Sequence, residues 1–279
     1  MTGRGQENEM SQRLILGGIL FFAFLLLTPL DIFNDWIPPN VHTGYYSVTT
    51  IDKGDDSGYY AFLRSPFFDG DLDFFNERYY AHFDKFMPTG YVFNNWQMGQ
   101  ALLFLPFFIV GHLLALLYQA LGYPISVGGY SAPYYISTAV ASVTFLFAGL
   151  ILVFKTLRSF IDKRFALLVT LSIWLASPLI YFSFIRQRMA HTVEFFLAAV
   201  LIFAWIHFRS LGVGPASSLA READVNDSVG RDSSSAVRYA VMGALLGFLC
   251  MTRVINIAFF ALFAVDLLWS FRADLKSPA

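Results

Sequence analysis

The sequence predicts an all-α integral membrane protein, a multi-pass helical bundle with a large outer first loop that carries juxtamembrane helices. Hydrophobic residues make up 56% of its 279 residues and charged residues only 14%, whereas soluble domains carry about 25% charged residues. Several apolar runs reach about 17–22 residues, the length that crosses the ~30 Å hydrocarbon core of a bilayer. The formal net charge of −1 argues against a nucleic-acid partner.

Polar and apolar stretches alternate along the chain and divide it into segments. The predicted order is a cytoplasmic tail at 1–13, a first transmembrane helix at 14–30, an outer loop at 31–133, transmembrane helices at 134–209, a flexible cytoplasmic linker at 210–238, a transmembrane helix pair at 239–271 and a cytoplasmic tail at 272–279. Within this order the apolar run 165–183 is predicted to be one span. The two halves of the last pair are short and separated only by Arg253, which predicts a tight helical pair with a break at that residue.

The distribution of basic residues favours a juxtamembrane helix near 101–121 instead of a further span. With that segment in the interface, most Lys and Arg residues fall on the cytoplasmic side, as the positive-inside rule requires; they include Lys155, Arg158, Lys163 and Arg164. The proline, glycine and histidine inside the segment agree with this placement. A kinked spanning helix is the alternative.

Carboxylates are concentrated at 55–77 of the outer loop. Asp55 and Asp56 are adjacent, so that one can act as a general base while the other positions a partner; a plain Asp-rich turn is the alternative. The stretch 59–64 is aromatic and amphipathic. We expect it to lie at the bilayer surface, because Tyr rings favour the headgroup level.

The same loop contains an alternating set of acids that bears on cofactors. Asp69, Asp71 and Asp73 offer oxygen ligands for a divalent cation, and a solvated turn is the other reading of this pattern. The sequence has a single cysteine, Cys250, so that no disulfide is available within the chain.

Three arginines in short outer segments run against the positive-inside bias: Arg186, Arg188 and Arg253. This makes them candidates for binding a lipid phosphate, and simple anchoring to headgroups is the alternative. His191 and Glu194 are three residues apart and share a helix face beside them. A Glu in a span must face the bundle or a cavity, where it can also pair with an arginine.

The outer loop resembles that of GT-C-type membrane glycosyltransferases, which include protein O-mannosyltransferases and aminoarabinose transferases. In the latter, an acidic pair in the first outer loop is followed by a Tyr, an Arg and a Gly-Asp pair. Here Asp55-Asp56, Tyr59, Arg64 and Gly70-Asp71 follow that spacing. Residues 90–108 look like the loop before the family's juxtamembrane helix in its bacterial subgroup, although Gln100 replaces the usual proline and the Lys-Pro-Pro or His-Pro-Pro motif is absent.

The resemblance implies sugar transfer from a polyprenyl-phosphate donor to a hydroxyl on a glycolipid, glycan or protein. It places the protein in a bacterial inner membrane, with the reaction at the outer face. The distribution of basic residues places both termini in the cytoplasm. By the same resemblance Asp55 is the catalytic base and Asp56 orients it or binds the acceptor. The expected substrate-binding residues are Tyr59, Arg64, Asp71, Arg186, Arg188, His191 and Arg253.

Two other readings of the chain follow from the same sequence. One is a transporter or flippase, in which Glu194 and the outer arginines would line a path. The other is an inactive fragment of a glycosyltransferase or a half that needs a partner, because family members usually have more spans than the six predicted here.

Overall fold

The computed structural model describes residues 18, 51, 54–78, 85–184, 186–212, 226–262 and 264–265. The predicted tails (1–13 and 272–279) and, apart from Gly18, the predicted first transmembrane helix (14–30) lie outside the described residues. The helices are α1 (Asp55–Arg64), α2 (Gly99–Ala120), α3 (Ala132–Leu157), α4 (Lys163–Leu175), α5 (Leu179–Phe184), α6 (His191–Gly212) and α7 (Asn226–Thr252).

The described part of the chain is all-helical, which confirms the predicted secondary-structure class. A π-helical turn (Ser65–Asp69) continues α1, and a 3-10 helix (Val254–Phe259) follows α7. Within these residues extended pairing is limited to one isolated bridge between Phe86 and Val92.

Three of the helices are long and apolar enough to cross a membrane: α2, α3 and α6, with mean hydropathies of 2.3, 2.3 and 1.7. Their length and composition indicate a membrane protein. Because α2 coincides with the predicted juxtamembrane segment 101–121 and is also long enough to span, its placement in the interface stays a prediction.

Helices α2 and α3 form an antiparallel hairpin. Phe104 of α2 stacks on Phe145 of α3, with ring centroids 6.2 Å apart, and His112, two turns further along α2, contacts Tyr134 near the start of α3. Their close approach depends on Gly111, because a Cβ there would lie 2.3 Å from the Ser137 hydroxyl oxygen.

A methyl group at this crossing should push the hairpin apart. We expect Gly111→Ala to lower the free energy of unfolding by about 1–3 kcal/mol, the usual cost of overpacking. Gly243→Ala is the matched control, since no heavy atom lies within 4 Å of the added Cβ. Thermal unfolding of both variants in detergent measures the difference, and equal midpoints would contradict the proposed role of Gly111.

Helices α6 and α7 complete the bundle: α6 packs on α3, and α7 packs on α6 and also contacts α2. The Ser142 and Thr192 hydroxyls are 2.7 Å apart where α3 meets α6. Arg238 of α7 donates to the Phe208 carbonyl oxygen near the end of α6, and Arg253, just past the end of α7, lies beside the start of α6. α6 and α7 are therefore antiparallel, and the start of α6 and the end of α7 lie together.

The structure differs from the sequence-based segments at two places. The apolar run 165–183 is two helices, α4 and α5, because Pro178 has no N–H to donate and disfavours helical geometry in the residue before it. The predicted linker 210–238 is helical from Asn226 onward as the first part of α7. The expected break at Arg253 is present, with that residue in extended geometry (φ −158°, ψ 130°) between α7 and the 3-10 helix.

Candidate functional site

The acidic pair forms the first turn of α1. Gly54 precedes it with φ 121°, a conformation that favours glycine, and the helix begins at Asp55. Carboxylates are stabilised at this end of a helix by its dipole. Asp56 is buried, with 2% of its surface exposed, whereas Asp55 is half-buried. The two acids therefore differ in their access to solvent.

A tight contact with the following loop fixes the position of α1. Gly58 packs against the indole of Trp96 so closely that a Cβ would lie 2.2 Å from the ring. The Asn94 amide donates to the Gly58 carbonyl oxygen at 3.0 Å. These contacts hold the first turn of α1, and with it the acidic pair, against the loop that leads into α2.

The tyrosines of α1 are buried, which corrects the expectation that 59–64 lies at the bilayer surface. Tyr59 is 7% and Tyr60 3% exposed. The Tyr60 ring packs on Phe108 and Tyr135, with centroids 5.7 and 5.6 Å away. Because α2 and α3 cover this face of α1, the rings contribute to the protein core instead of reaching headgroups.

Two arginines from the turn between α5 and α6 approach the acidic pair. Arg186 lies 3.5 Å from an Asp56 carboxylate oxygen. Arg188 is 4% exposed, donates to the Tyr135 carbonyl oxygen at 3.2 Å and lies over the Tyr135 ring. The Gln100 side chain donates to the Arg188 carbonyl oxygen at 2.6 Å. Asp56 and Arg188 line one narrow crevice together.

A second polar group joins α6 to the end of α7. The Arg253 guanidinium lies 3.2 Å from Nδ1 of His191. Glu194 lies 3.6 Å from both His191 and Arg253. The His191 ring stacks on Phe182 of α5 at 3.9 Å. The expected pairing of Glu194 with an arginine is present, and Arg253 is its partner.

Tyr59 lines the same crevice as Asp56 and Arg188. Its ring packs edge-on against Trp96, with ring centroids 6.5 Å apart. Burial raises the pKa of the Tyr59 hydroxyl to about 12, a rise that the Arg253 charge opposes and that the charges of Asp55 and Glu194 reinforce. The hydroxyl therefore stays protonated at neutral pH and can donate a hydrogen bond.

Arg64 and Asp71 make their contacts elsewhere. Arg64 forms ion pairs with Asp69 and with Glu77, the latter at 2.6 Å, and donates to the Gly128 carbonyl oxygen. Asp71 accepts from the Ser65 hydroxyl at 2.9 Å and from a backbone N–H of its own loop. Both residues hold the chain at 64–77 together in this structure. Neither lies beside Asp56 with Arg186 and Arg188.

Two of the three alternating acids are engaged by protein groups through their carboxylates. Asp69 pairs with Arg64, and Asp71 caps the turn that contains Asp73. Across the residues that the structure describes, no group of three or more His, Cys, Asp or Glu side chains has the proximity to hold a metal ion.

The structure therefore brings together seven of the nine predicted site residues, which we call the polar cluster: Asp55, Asp56, Tyr59, Arg186, Arg188, His191 and Arg253. It adds Gln100, Tyr135, Trp96 and Phe182, which sequence reasoning missed. Only Gln100 carried a signal, as the residue at the family's usual proline; the other three are aromatic residues in a chain rich in aromatics. Comparisons of the chain with protein-family models, with curated proteins and with solved structures find no match.

Proposed function

We propose that the protein is a membrane glycosyltransferase, which moves a sugar from a polyprenyl phosphate to a hydroxyl acceptor at the outer face of the membrane. One observation carries the proposal: cations from two distant parts of the chain lie at the acidic pair on α1 and at the start of α6, Arg186 beside Asp56 and Arg253 beside His191 and Glu194. Transfer from a sugar phosphate needs this combination of a base and a cationic environment for the departing phosphate.

Asp55 is the better placed of the two acids to act as the base. Its partial exposure lets an acceptor hydroxyl reach it, whereas Asp56 is buried against Arg186. In the proposed step Asp55 takes the hydroxyl proton as the acceptor oxygen bonds to the anomeric carbon. The bond from that carbon to the phosphate oxygen breaks, and its electron pair leaves with the polyprenyl phosphate.

The cations would stabilise the negative charge that develops on the leaving phosphate. Arg253 has the greatest access to an incoming anion, because 39% of its side chain is exposed. Arg186 and Arg188 are more enclosed and can hold the acids and the crevice in position. Arginine suits both roles, since its guanidinium stays charged and binds phosphate in a bidentate manner.

The apolar helices support a lipid-linked donor over a soluble one. α2 contributes Gln100 and α6 contributes His191 to the polar cluster, and both helices are long and apolar enough to cross a membrane. A donor whose lipid chain lies in the bilayer could thereby present its phosphate at the polar cluster. A transporter would instead need a polar path along these helices.

Gene deletion and complementation in the producing cell test the proposal. We expect deletion to alter one surface glycan or glycolipid, as profiled by mass spectrometry, and the wild-type gene to restore it. The variant carrying both Asp55→Asn and Asp56→Asn should fail to restore it, while Asp71→Asn, an acid outside the cluster, should succeed. Full restoration by the double variant would show that the acidic pair is not catalytic.

A further inference from the structure

Residues 85–93 form a short hairpin that stands apart from the polar cluster. The Met87 N–H donates to the Tyr91 carbonyl oxygen and the Phe93 N–H to the Lys85 carbonyl oxygen, each at 2.8 Å. Gly90 closes the turn with φ 89°, a left-handed conformation that favours glycine. The hairpin is thus a defined local structure with its own hydrogen bonds.

Four apolar side chains of this hairpin are exposed, and together we call them the aromatic tip: Phe86, Met87, Tyr91 and Phe93. Their exposed fractions are 50%, 40%, 53% and 43%. Val92 is the exception, because it is 2% exposed and packs with Ala61 of α1 and Phe74. The hairpin is therefore anchored by the Val92 side chain, while the four side chains of the aromatic tip face outward. A cluster of exposed apolar side chains of this kind marks an interaction surface.

Two cations flank the aromatic tip. The Arg78 guanidinium lies over the Phe75 ring at 4.7 Å and over the Phe86 ring at 5.9 Å, and Arg78 and Lys85 are both exposed. Glu77 is the one acid among residues 74–78 and 85–98, and it is buried in its pair with Arg64. Within those two ranges, every exposed charge is positive.

We propose that the aromatic tip inserts into the headgroup layer of the bilayer, with Arg78 and Lys85 contacting lipid phosphates. Phe, Tyr and Met side chains flanked by Arg and Lys are the composition that favours the membrane interface. Each cation near an anionic surface adds electrostatic attraction to the binding of the apolar side chains. The occupant of this surface is thus a lipid surface that carries negative headgroups.

Two features favour lipid over a second copy of this chain. The bilayer already adjoins a chain that contains α2, α3 and α6. In a twofold dimer through the aromatic tip, Arg78 and Lys85 would face their own copies, and like charges at close range oppose association. This inference concerns attachment to the membrane and does not depend on sugar transfer.

Site-specific fluorescence quenching tests the proposal on the full chain in nanodiscs of phosphatidylcholine and phosphatidylglycerol. Cys250→Ser removes the native thiol, and Thr89→Cys then places a single environment-sensitive dye at the turn. We expect a lipid that carries a doxyl group near its headgroup to quench most of the emission, and aqueous iodide to quench little. Adding Phe86→Ser and Tyr91→Ser should reverse that order, while Leu72→Ser, an exposed residue outside the hairpin, should leave it unchanged.

Each other outcome overturns the proposal. Strong quenching by iodide with little by the doxyl lipid would place the tip in water. Weak quenching by both would mean that protein covers it, from a second copy or another partner. Lipid quenching that survives Phe86→Ser with Tyr91→Ser would show that the aromatic tip is not what holds the hairpin there.

Discussion

Asp55→Asn is expected to lower sugar transfer about 10²- to 10⁴-fold, the usual contribution of a general base. Asparagine has the shape of aspartate but cannot accept the hydroxyl proton, so the loss should appear in the rate of transfer. The thermal midpoint should change little, because Asp55 is half-buried at a helix start where Asn is also tolerated. Transfer is measured as restoration of the altered glycan or glycolipid, and stability as the unfolding midpoint in detergent.

Asp56→Asn provides the comparison, because it makes the same replacement of a carboxylate by an amide at the neighbouring acid. It removes the charge that faces Arg186 at 3.5 Å. Since Asp56 is 2% exposed, we expect this variant to lose both stability and transfer. A double variant with Arg186→Met should be less destabilised than the sum of the two single variants if the pair is coupled. Equal behaviour of Asp55→Asn and Asp56→Asn in both assays would contradict the separate roles.

Arg64→Met is expected to destabilise the fold by about 3–5 kcal/mol, the cost of removing one partner from a buried ion pair. The Glu77 carboxylate, which is 2% exposed, then lacks its cation. The substitution also removes the hydrogen bond that Arg64 donates to the Gly128 carbonyl oxygen. Combining it with Glu77→Gln should recover part of the loss, because the buried charge is then gone. Arg78→Met is the control on an exposed arginine that stacks on aromatic rings, and its cost should stay near 1 kcal/mol or below.

The loss of stability in Arg64→Met should also depend on pH in a defined direction. Burial raises the pKa of Glu77 above its ordinary value, and Arg64 opposes this rise. Without Arg64 the pKa rises further, so that the folded variant binds this proton more tightly than the unfolded chain does. Stability of the variant therefore falls as the pH rises through that pKa. The difference in unfolding midpoint between wild type and Arg64→Met should be smaller at about pH 5 than at about pH 8. A larger difference at the lower pH would contradict a buried, ionised Glu77.

The sequence predicts helices well here because long apolar runs leave few alternatives. α3 (Ala132–Leu157) begins two residues before the predicted start of the transmembrane segment 134–209. The division of 165–183 depends on one proline within an apolar stretch, and hydropathy alone does not register it. The helical start of α7 in 226–238 was missed because its residues are Gly, Ser and Asp, which are weak helix formers.

The site is more difficult to predict, because side-chain direction is set by packing between helices. Arg186, Arg188 and Arg253 were identified as positive charges in predicted outer positions, and two of them lie beside other predicted site residues, Asp56 and His191. Arg64 was expected at the same site by resemblance. It forms ion pairs with Glu77 and Asp69 instead. The proximity of these two acids to Arg64 depends on the π-helical turn after α1. The burial of Tyr59 likewise depends on the position of Trp96, which the sequence does not reveal.

The contact between Asp56 and Arg186 has a consequence for the order of biosynthesis. The acid is translated first, and at about 5–20 residues per second the arginine follows on the order of ten seconds later. During this interval the first turn of α1 has no cation from that turn of the chain, and Asp56 remains in contact with water or lipid headgroups. Arg253 emerges later still, beside His191 and Glu194. The polar cluster therefore cannot be complete until the end of α7 has been made, after helices α2, α3 and α6.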